Sequence, residues 1–399
     1  MNIIRFQGET PAIYYEIDKD APPLGEGGMG RVYQGFRFDT VHNFQSLVAV
    51  KCIKPELVSN PTVIQRAQRE ASIQLNHPNL IRMYGFFSGA EFNQFVGGYI
   101  PAYYVAMERL VGVNLDDVLY KGVITDRSGV VIPLADEVKQ AYAQDRITVA
   151  LSIMQSVLTG VGYLHESGYI HRDLDPSNVM LTQEGNMKVI DFGICRNLNS
   201  LSQGGVGLTQ VGQFLGKYAY AAPELILGDI RSQGPQTDIY ALGIMLAQLV
   251  TGHLPAQGSD QEIMQAHLKG ALDFSDVPSK KLTKILQKAT AKDPAKRYAS
   301  TAEFRADLMA GSFTSVPAAP RPARQSRQEK QPARQKRQAV VPESQPVVPE
   351  KQPSYRERRI SRQEMQPAVG KRPFVVPTAV IPISCVAGLA LGVILSLVL

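Results

Sequence analysis

Two short segments of the chain carry residues that can hold a metal ion and orient a hydroxyl group. Residues 171–178 are His-Arg-Asp-Leu-Asp-Pro-Ser-Asn, which places the carboxylate of Asp173 and the amide of Asn178 on one loop. Residues 191–193 are Asp-Phe-Gly, and Asp191 directly follows a short, mostly apolar run. Two acids and an amide can hold Mg²⁺ beside a triphosphate and orient an acceptor hydroxyl. The two segments therefore indicate phosphoryl-transfer chemistry.

A glycine-rich segment near the N-terminus adds a candidate cradle for phosphates. Gly25, Gly27 and Gly30 have the spacing G-x-G-x-x-G and lie between candidate strands. Glycines let backbone amides approach phosphate oxygens because no Cβ stands in the way. Lys51 ends the β-branched run 48–50 and can neutralise phosphate charge from there. Each feature also has an ordinary structural interpretation, as a glycine-rich turn and as a solvated lysine on an edge strand.

The elements that must position these residues fall into two parts. Residues 1–108 are rich in β-branched and aromatic runs, which predicts mostly strands, with one helix around 63–75. Residues 111–310 are mostly helical in pattern. The clearest predicted helices in this second part are 145–165, 279–292 and 302–309. The stretch 121–144, before the long helix, is interpreted as an insertion.

Composition and charge exclude several classes of protein. The net charge is +6, but residues 316–373 hold 14 Lys and Arg against five Glu, so the remaining chain is slightly acidic. This basic segment has almost no aromatic residues for base stacking, and no specific nucleic-acid partner is expected. The three cysteines are Cys52, Cys195 and Cys385. They lack C-x-x-C spacing, which argues against a disulfide framework or a zinc site.

The C-terminal part of the chain is predicted to form a linker and a membrane anchor. Residues 311–373 are rich in Pro, Gln and Arg, and they are expected to be disordered because they cannot bury a core. Residues 374–399 contain no charged residue and are long enough to span a bilayer. Lys371 and Arg372 lie just before this segment, and the positive-inside rule assigns this end of the segment to the cytoplasm. A single-pass C-terminal anchor is expected, with a buried C-terminal helix as the alternative.

Over about residues 10–310 the motifs resemble the eukaryotic-like protein kinases, including their bacterial serine/threonine members. The resemblance implies an α+β fold of two lobes with ATP bound between them. The N-lobe, about 10–108, would be β-rich with one helix, and the C-lobe, about 111–310, would be mostly helical. The implied reaction is transfer of the γ-phosphoryl group of ATP to a hydroxyl of a protein substrate, with Mg²⁺ as the metal.

The resemblance also implies roles for individual residues. Asp173 would be the catalytic base, Asn178 and Asp191 the Mg²⁺ ligands, and Lys51 the residue that holds the phosphates. The remaining expected ATP-binding residues are Leu24, Gly25, Gly27, Gly30, Val32, Ala49, Glu108, Leu110 and Met180. Structural roles are implied for Asp238 as a brace of the catalytic loop, for Arg297 as the ion-pair partner of Glu224, and for His171 under Phe192.

The chain departs from the family pattern in the helix that supplies the partner of Lys51. Counted from the start of the helix, the partner is Glu70, but counted back from His77 it is Gln68. Two residues rotate a helix position by about 200°, so both cannot face Lys51. Glu70 is favoured because a buried ammonium requires a carboxylate rather than an amide. The alternative is that Glu70 is a charge that faces solvent.

A second departure lies beside the expected catalytic base. The serine/threonine members of the family carry Lys two residues after that base, where this chain has Asp175. They also carry Thr in the segment before Ala-Pro-Glu, where this chain has Lys217. Our hypothesis is that Lys217 supplies the cation missing at position 175 and is held there by Asp175. The alternative is a degraded site, which would make the protein a nucleotide-binding pseudokinase that scaffolds partners.

The segment 194–221 and the basic linker suggest regulation and location. Arg172 would pair with a phosphate on this segment, and Thr209 is the best candidate for autophosphorylation, ahead of Ser200 and Ser202. The linker would either attract anionic membrane lipid or serve as a docking tail. Serine/threonine specificity is favoured, because the arginine-containing catalytic loop of the tyrosine kinases is absent.

Overall fold

The computed structural model describes residues 2–94, 96–127, 129–192, 195–198 and 217–311. The candidate phosphorylation site Thr209 and the weaker candidates Ser200 and Ser202 lie outside the described residues, as do the predicted linker after residue 311 and the predicted anchor.

A seven-stranded antiparallel sheet forms the N-lobe, and it begins at Ile3, before the predicted start of the domain at about residue 10. The strand order is β1-β2-β4-β5-β7-β6, with β3 paired to β4. The strands are β1 (Ile3–Gln7), β2 (Ile13–Asp18), β3 (Gly25–Glu26), β4 (Gly30–Asp39), β5 (Phe44–Ile53), β6 (Met83–Asn93) and β7 (Gly98–Glu108). Strand β5 lies at the centre of the sheet and carries Lys51 near its end.

One helix of the N-lobe, α1 (Pro61–Ser72), packs against the sheet. It begins after Asn60, whose side chain accepts hydrogen bonds from the first backbone N–H groups of the helix. Its buried face consists of Ala67, Glu70 and Ala71, and the two small alanines let the helix approach the strands closely. The helix ends at Ser72, earlier than the predicted end near residue 75, and Glu70 on its buried face contacts Lys51 of β5.

The C-lobe is built around the long helix α3 (Arg146–Glu166), which Asp145 caps through its side chain. This helix contacts α2, α5 and α8 in the lobe. The other helices are α2 (Pro133–Gln144), α4 (Pro223–Ile226), α5 (Pro235–Thr251), α6 (Asp260–Leu268), α7 (Lys280–Ala289) and α8 (Thr301–Met309). Among the described residues, only α3 has the length and composition of a membrane span, and half of its most apolar window is buried in this lobe.

Two small sheets hold the loops of the C-lobe that face the N-lobe. Strands β8 (Gly112–Asn114), β10 (Val179–Thr182) and β11 (Met187–Val189) form one sheet, and β9 (Tyr169–Ile170) pairs with β12 (Arg196–Asn197). Residues 171–178 therefore connect β9 to β10, and Asp191 follows β11. Because both ends of the 171–178 loop belong to hydrogen-bonded strands, the loop is held at a fixed position beneath the N-lobe.

Candidate active site

A cleft of about 530 Å³ lies between the two lobes. Every residue predicted to bind the nucleotide lines it, as do Glu70, Asn178 and Asp191. Sequence reasoning missed several further lining residues, because they belong to no motif or were given no role there, and these include Arg66, Ile81, Asn114, Asp126, Arg127 and Ile190. A cleft of this size and mixed polarity can hold a nucleotide.

The roof of the cleft requires glycine at position 30. Gly30 opens strand β4 and pairs with Ile53 of β5. A Cβ on Gly30 would lie only 2.3 Å from the carbonyl oxygen of Cys52, which no side chain can tolerate. The third glycine of the motif is thus needed for the close approach of two strands, and this brings the glycine-rich turn near Lys51.

Lys51 and Glu70 form an ion pair inside the cleft. The Lys51 Nζ donates to both carboxylate oxygens of Glu70, at 2.7 and 2.8 Å. Gln68 is exposed on the opposite side of α1, so the geometry selects Glu70 as the partner. Burial lowers the pKa of Lys51, but attraction by Glu70 and Asp191 outweighs it and leaves the pKa above its ordinary value. The lysine therefore stays a cation where a nucleotide's phosphates would lie.

Asp238 of α5 braces the loop that carries Asp173. Its carboxylate accepts hydrogen bonds from the backbone N–H groups of His171 and Arg172, each at 2.8 Å, and lies 2.7 Å from His165 Nε2. Burial would raise the pKa of Asp238, but these hydrogen bonds outweigh it and hold the pKa below its ordinary value. A buried, ionised carboxylate thus fixes the backbone just before Asp173, as the sequence predicts.

Two residues of the site have a left-handed backbone conformation, which residues other than glycine rarely adopt. The φ angle is 69° at Arg172 and 63° at Asp191. Such strain costs about 1–3 kcal/mol per residue and persists only where the surroundings impose it. Phe192 packs edge-on against the ring of His171, with the ring centroids 5.9 Å apart, and is itself buried. This contact helps to hold Asp191 in the cleft.

Asp173 and Asn178 are joined across the loop. The Asn178 side-chain nitrogen donates to the carbonyl oxygen of Asp173 at 2.7 Å and to its carboxylate at 3.3 Å. Because this nitrogen donates to the loop, the amide oxygen is the atom that can ligate a cation. Burial, together with the nearby charges of Asp175 and Asp191, raises the pKa of Asp173 above its ordinary value, although His171 opposes the effect. A carboxyl with a raised pKa is suited to accept a proton.

The donor set of the cleft fits Mg²⁺ bound together with phosphates. Within the described residues no cluster of three or more His, Cys, Asp or Glu could hold a metal by protein ligands alone. Asp191 and Asn178 supply oxygen atoms from the floor of the cleft. Mg²⁺ commonly takes only one or two ligands from the protein and the rest from substrate phosphates and water.

Asp175 and Lys217 meet beside Asp173. The Lys217 Nζ lies 2.9 Å from Asp175 Oδ2 and donates to Asp175 Oδ1 at 3.0 Å. It also donates to the Ser177 hydroxyl at 2.7 Å. Asp175 is 2% exposed, and the Lys217 side chain is about half exposed, so the acid anchors the lysine rather than the reverse.

The segment after Lys217 is fixed to the C-lobe by a buried ion pair. Arg297 donates to both carboxylate oxygens of Glu224, at 2.7 and 2.9 Å, and both side chains are almost wholly buried. Thr237 of α5 donates to the same carboxylate. The predicted partner of Glu224 is therefore in place, and it ties the Ala-Pro-Glu segment to the helices of the lobe.

The chain is similar in sequence to proteins of a known family. The family model described as "Protein kinase domain" matches residues 19–308. The chain belongs to the protein kinase family. This kinase domain is similar to bacterial proteins that are named as serine/threonine kinases. It is 30% identical over 308 residues to the "Probable serine/threonine-protein kinase PknB" of Lactococcus lactis, covering 75% of this chain and 42% of that protein.

Two further relatives give the same result. The kinase domain is 29% identical over 292 residues to "Serine/threonine-protein kinase PrkC" of Bacillus subtilis, covering 71% of this chain and 39% of that protein. It is 30% identical over 307 residues to "Serine/threonine-protein kinase PknB" of Mycobacterium tuberculosis, covering 75% of this chain and 43% of that protein. The chain thus spans about two fifths of the length of these relatives.

Proposed function

We propose that the protein is an ATP-dependent protein kinase that phosphorylates serine and threonine hydroxyls. The observation that carries this proposal is the ion pair of Lys51 and Glu70 inside the cleft, opposite a loop that Asp238 braces. The names of the relatives support the serine/threonine class. Membership of the protein kinase family is the reason to expect protein substrates.

The residues of the chain divide the work of the transfer between them. Lys51 holds phosphate oxygens. Asp191 and Asn178 would hold Mg²⁺, which would neutralise charge on the phosphates. Asp173 orients the acceptor hydroxyl. The hydroxyl oxygen forms a bond to the γ-phosphorus, the bond from that phosphorus to the β,γ-bridging oxygen breaks, and ADP leaves. The proton of the hydroxyl passes to the Asp173 carboxylate.

Lys217 supplies the cation near the transferred group in this proposal. In the serine/threonine kinases that this chain resembles, a lysine of the catalytic loop, two residues after the catalytic base, carries this charge. Here Asp175 and Ser177 of that loop hold Lys217 instead. The Lys217 side chain is about half exposed, so it has room to shift toward a phosphoryl group while one of its hydrogen bonds remains.

Regulation and location form a further part of the proposal. Burial lowers the pKa of Arg172, and the charges of Arg196 and Arg69 lower it further, so both of these cations act on Arg172. Such a cluster of cations is suited to a phosphate on Thr209. The basic linker and the apolar segment 374–399 would tether the kinase to the cytoplasmic face of a membrane and bring the linker to anionic lipid.

The deciding experiment measures phosphate incorporation from labelled ATP by the full chain in detergent. Wild type and Asp173→Asn are compared with and without Mg²⁺. The proposal requires incorporation that depends on both Asp173 and Mg²⁺, and phosphoserine or phosphothreonine in the hydrolysed product. Peptide mapping of the same product, with Thr209→Ala as a control, tests the autophosphorylation site. Membrane flotation of the chain with and without residues 374–399 tests the anchor.

The buried acid at position 175 favours one other candidate function, a pseudokinase that binds nucleotide and scaffolds partners. In that case the wild-type chain binds ATP but transfers no phosphate, and Asp173→Asn changes nothing. The same incorporation assay, run beside a nucleotide-binding measurement, separates the two functions.

A further inference from the structure

The first part of the insertion, before α2, folds into a short turn that reaches the nucleotide cleft. Within it Thr125 and Val131 form an isolated bridge, and the backbone of Ile132 donates to Ile124 at 2.8 Å. The backbone of Asp126 donates to Val130, also at 2.8 Å. The side chain of Ile132 is fully buried in the main core, so the base of the turn is anchored. We call residues 124–127 and 129–132 the insert turn.

A buried carboxylate fastens the insert turn to the strand connection that would bind adenine. Asp126 lies 3.6 Å from Arg109 Nη2, and the two side chains are only 4% and 11% exposed. Arg109 also donates to the carbonyl oxygen of Leu110, the next residue of that connection. The Asp126 carboxylate also accepts a hydrogen bond from the backbone N–H of Val130. A shielded ion pair of this kind fixes the position of the residue that follows Asp126.

That next residue, Arg127, lies against the glycine-rich turn. A Cβ built on Gly25 would stand 2.1 Å from Arg127 Nη1, so the guanidinium occupies the space that a side chain at position 25 would fill. Gly25 pairs with Val32 as an ordinary strand residue, and its φ lies outside the left-handed region. Glycine at this position therefore leaves room for Arg127. Both Asp126 and Arg127 line the nucleotide cleft.

We propose that Arg127 is a nucleotide-binding residue, supplied by the insertion, whose guanidinium contacts the phosphates of ATP. This inference rests on the proposed function. ATP bound beneath Gly25 is strongly anionic, and a planar guanidinium with several N–H donors is suited to phosphate oxygens. The exposed position of Arg127 leaves it able to turn from the glycine backbone toward the phosphates. The ion pair of Asp126 with Arg109 keeps Arg127 within reach of the phosphates.

The test is calorimetric titration of the full chain in detergent with ATP and with adenosine, both in the presence of Mg²⁺. We expect Arg127→Ala to weaken ATP binding about 3- to 5-fold, within the range for one exposed charged contact. Adenosine lacks phosphates, so its dissociation constant should change less than about twofold. Arg127→Lys keeps the charge without the planar fork and should recover part of the affinity.

Lys139→Ala is the matched control, because it removes a cation from α2 of the same insertion, where Lys139 pairs with Asp136 outside the cleft. It should bind ATP as wild type does. Equal ATP affinity in wild type and Arg127→Ala would overturn the inference while the proposed function stands. Equal weakening of ATP and adenosine would overturn the assignment to phosphate. If wild type binds no ATP, the proposed function fails together with this inference.

Discussion

The ammonium of Lys217 lies 2.9 Å from the carboxylate of Asp175, although the two residues are far apart in sequence. Asp175 belongs to the catalytic loop, and Lys217 belongs to the segment that leads to the Ala-Pro-Glu motif. A buried acid needs a partner, because an isolated carboxylate inside a protein is costly. The charges of Asp175 and Lys217 therefore compensate each other, and this cation reaches the loop from a distant segment of the chain.

The first prediction concerns this exchange of charges. Lys217→Thr should lower kcat about 10- to 100-fold, because a charged hydrogen bond contributes about 1.5–3 kcal/mol and Asp175 loses its partner. The double variant Asp175→Lys with Lys217→Thr restores a cation at the loop and should regain most of the lost rate. Steady-state kinetics with a peptide substrate measure both effects.

The matched control for the charge exchange is Lys139→Thr, which removes a lysine far from the catalytic loop and should leave kcat unchanged. A double variant that is inactive while both single variants retain activity would show that the two residues do not act as an exchanged pair.

The second prediction separates Glu70 from Gln68 as the partner of Lys51. Glu70→Gln leaves the shape of the side chain but removes the charge that holds the Lys51 ammonium. The loss of kcat/KM should be about 10- to 100-fold. Gln68→Ala, on the exposed side of the same helix, is the control and should behave as wild type. Equal losses in the two variants would mean that α1 acts only through its stability.

The third prediction concerns the dependence of activity on pH. Asp173 must be ionised to accept a proton, and its pKa lies above the ordinary value because of burial and the charges of Asp175 and Asp191. The rate should therefore fall on the acid side at a higher pH than for an exposed aspartate. Asp175→Asn in a Lys217→Met background removes one of the charges that raise this pKa without releasing a bound Lys217, so the acid limb of the kcat/KM profile should lie at lower pH than in Lys217→Met alone. Movement to higher pH, or none, would contradict the assignment of Asp173 as the base.

The fourth prediction concerns stability. Arg297→Met leaves the buried carboxylate of Glu224 without its partner, which should cost about 3–5 kcal/mol of unfolding free energy. Lys139→Met breaks the exposed pair with Asp136 on α2 and should cost no more than about 1 kcal/mol. Chemical denaturation followed by fluorescence measures both. Similar losses in the two variants would show that the buried pair has no special role in holding the Ala-Pro-Glu segment.

Much of the fold and of the site could be predicted from the sequence because the chemistry lies in short motifs. The glycine-rich turn, Lys51 and the 171–178 loop each keep their spacing along the chain. The long C-lobe helix was predicted at 145–165 and is observed at Arg146–Glu166, with Asp145 as its cap. Such features depend on contacts between neighbours in sequence, on helical periodicity and on side-chain capping.

Only the tertiary structure decided which residues from distant segments meet. The sequence left Glu70 and Gln68 as alternatives, and the packing of α1 on the sheet turned Glu70 toward Lys51. The sequence suggested that Asp175 holds Lys217. In the folded chain the two segments lie side by side, and the two charges are in contact. No role for Arg127 could be predicted from the sequence, because the position of this residue depends on how the insertion folds, and the insertion contains no recognisable motif. Motifs determine the local chemistry, whereas long-range packing determines the partners, because side chains pair by distance in space rather than along the chain.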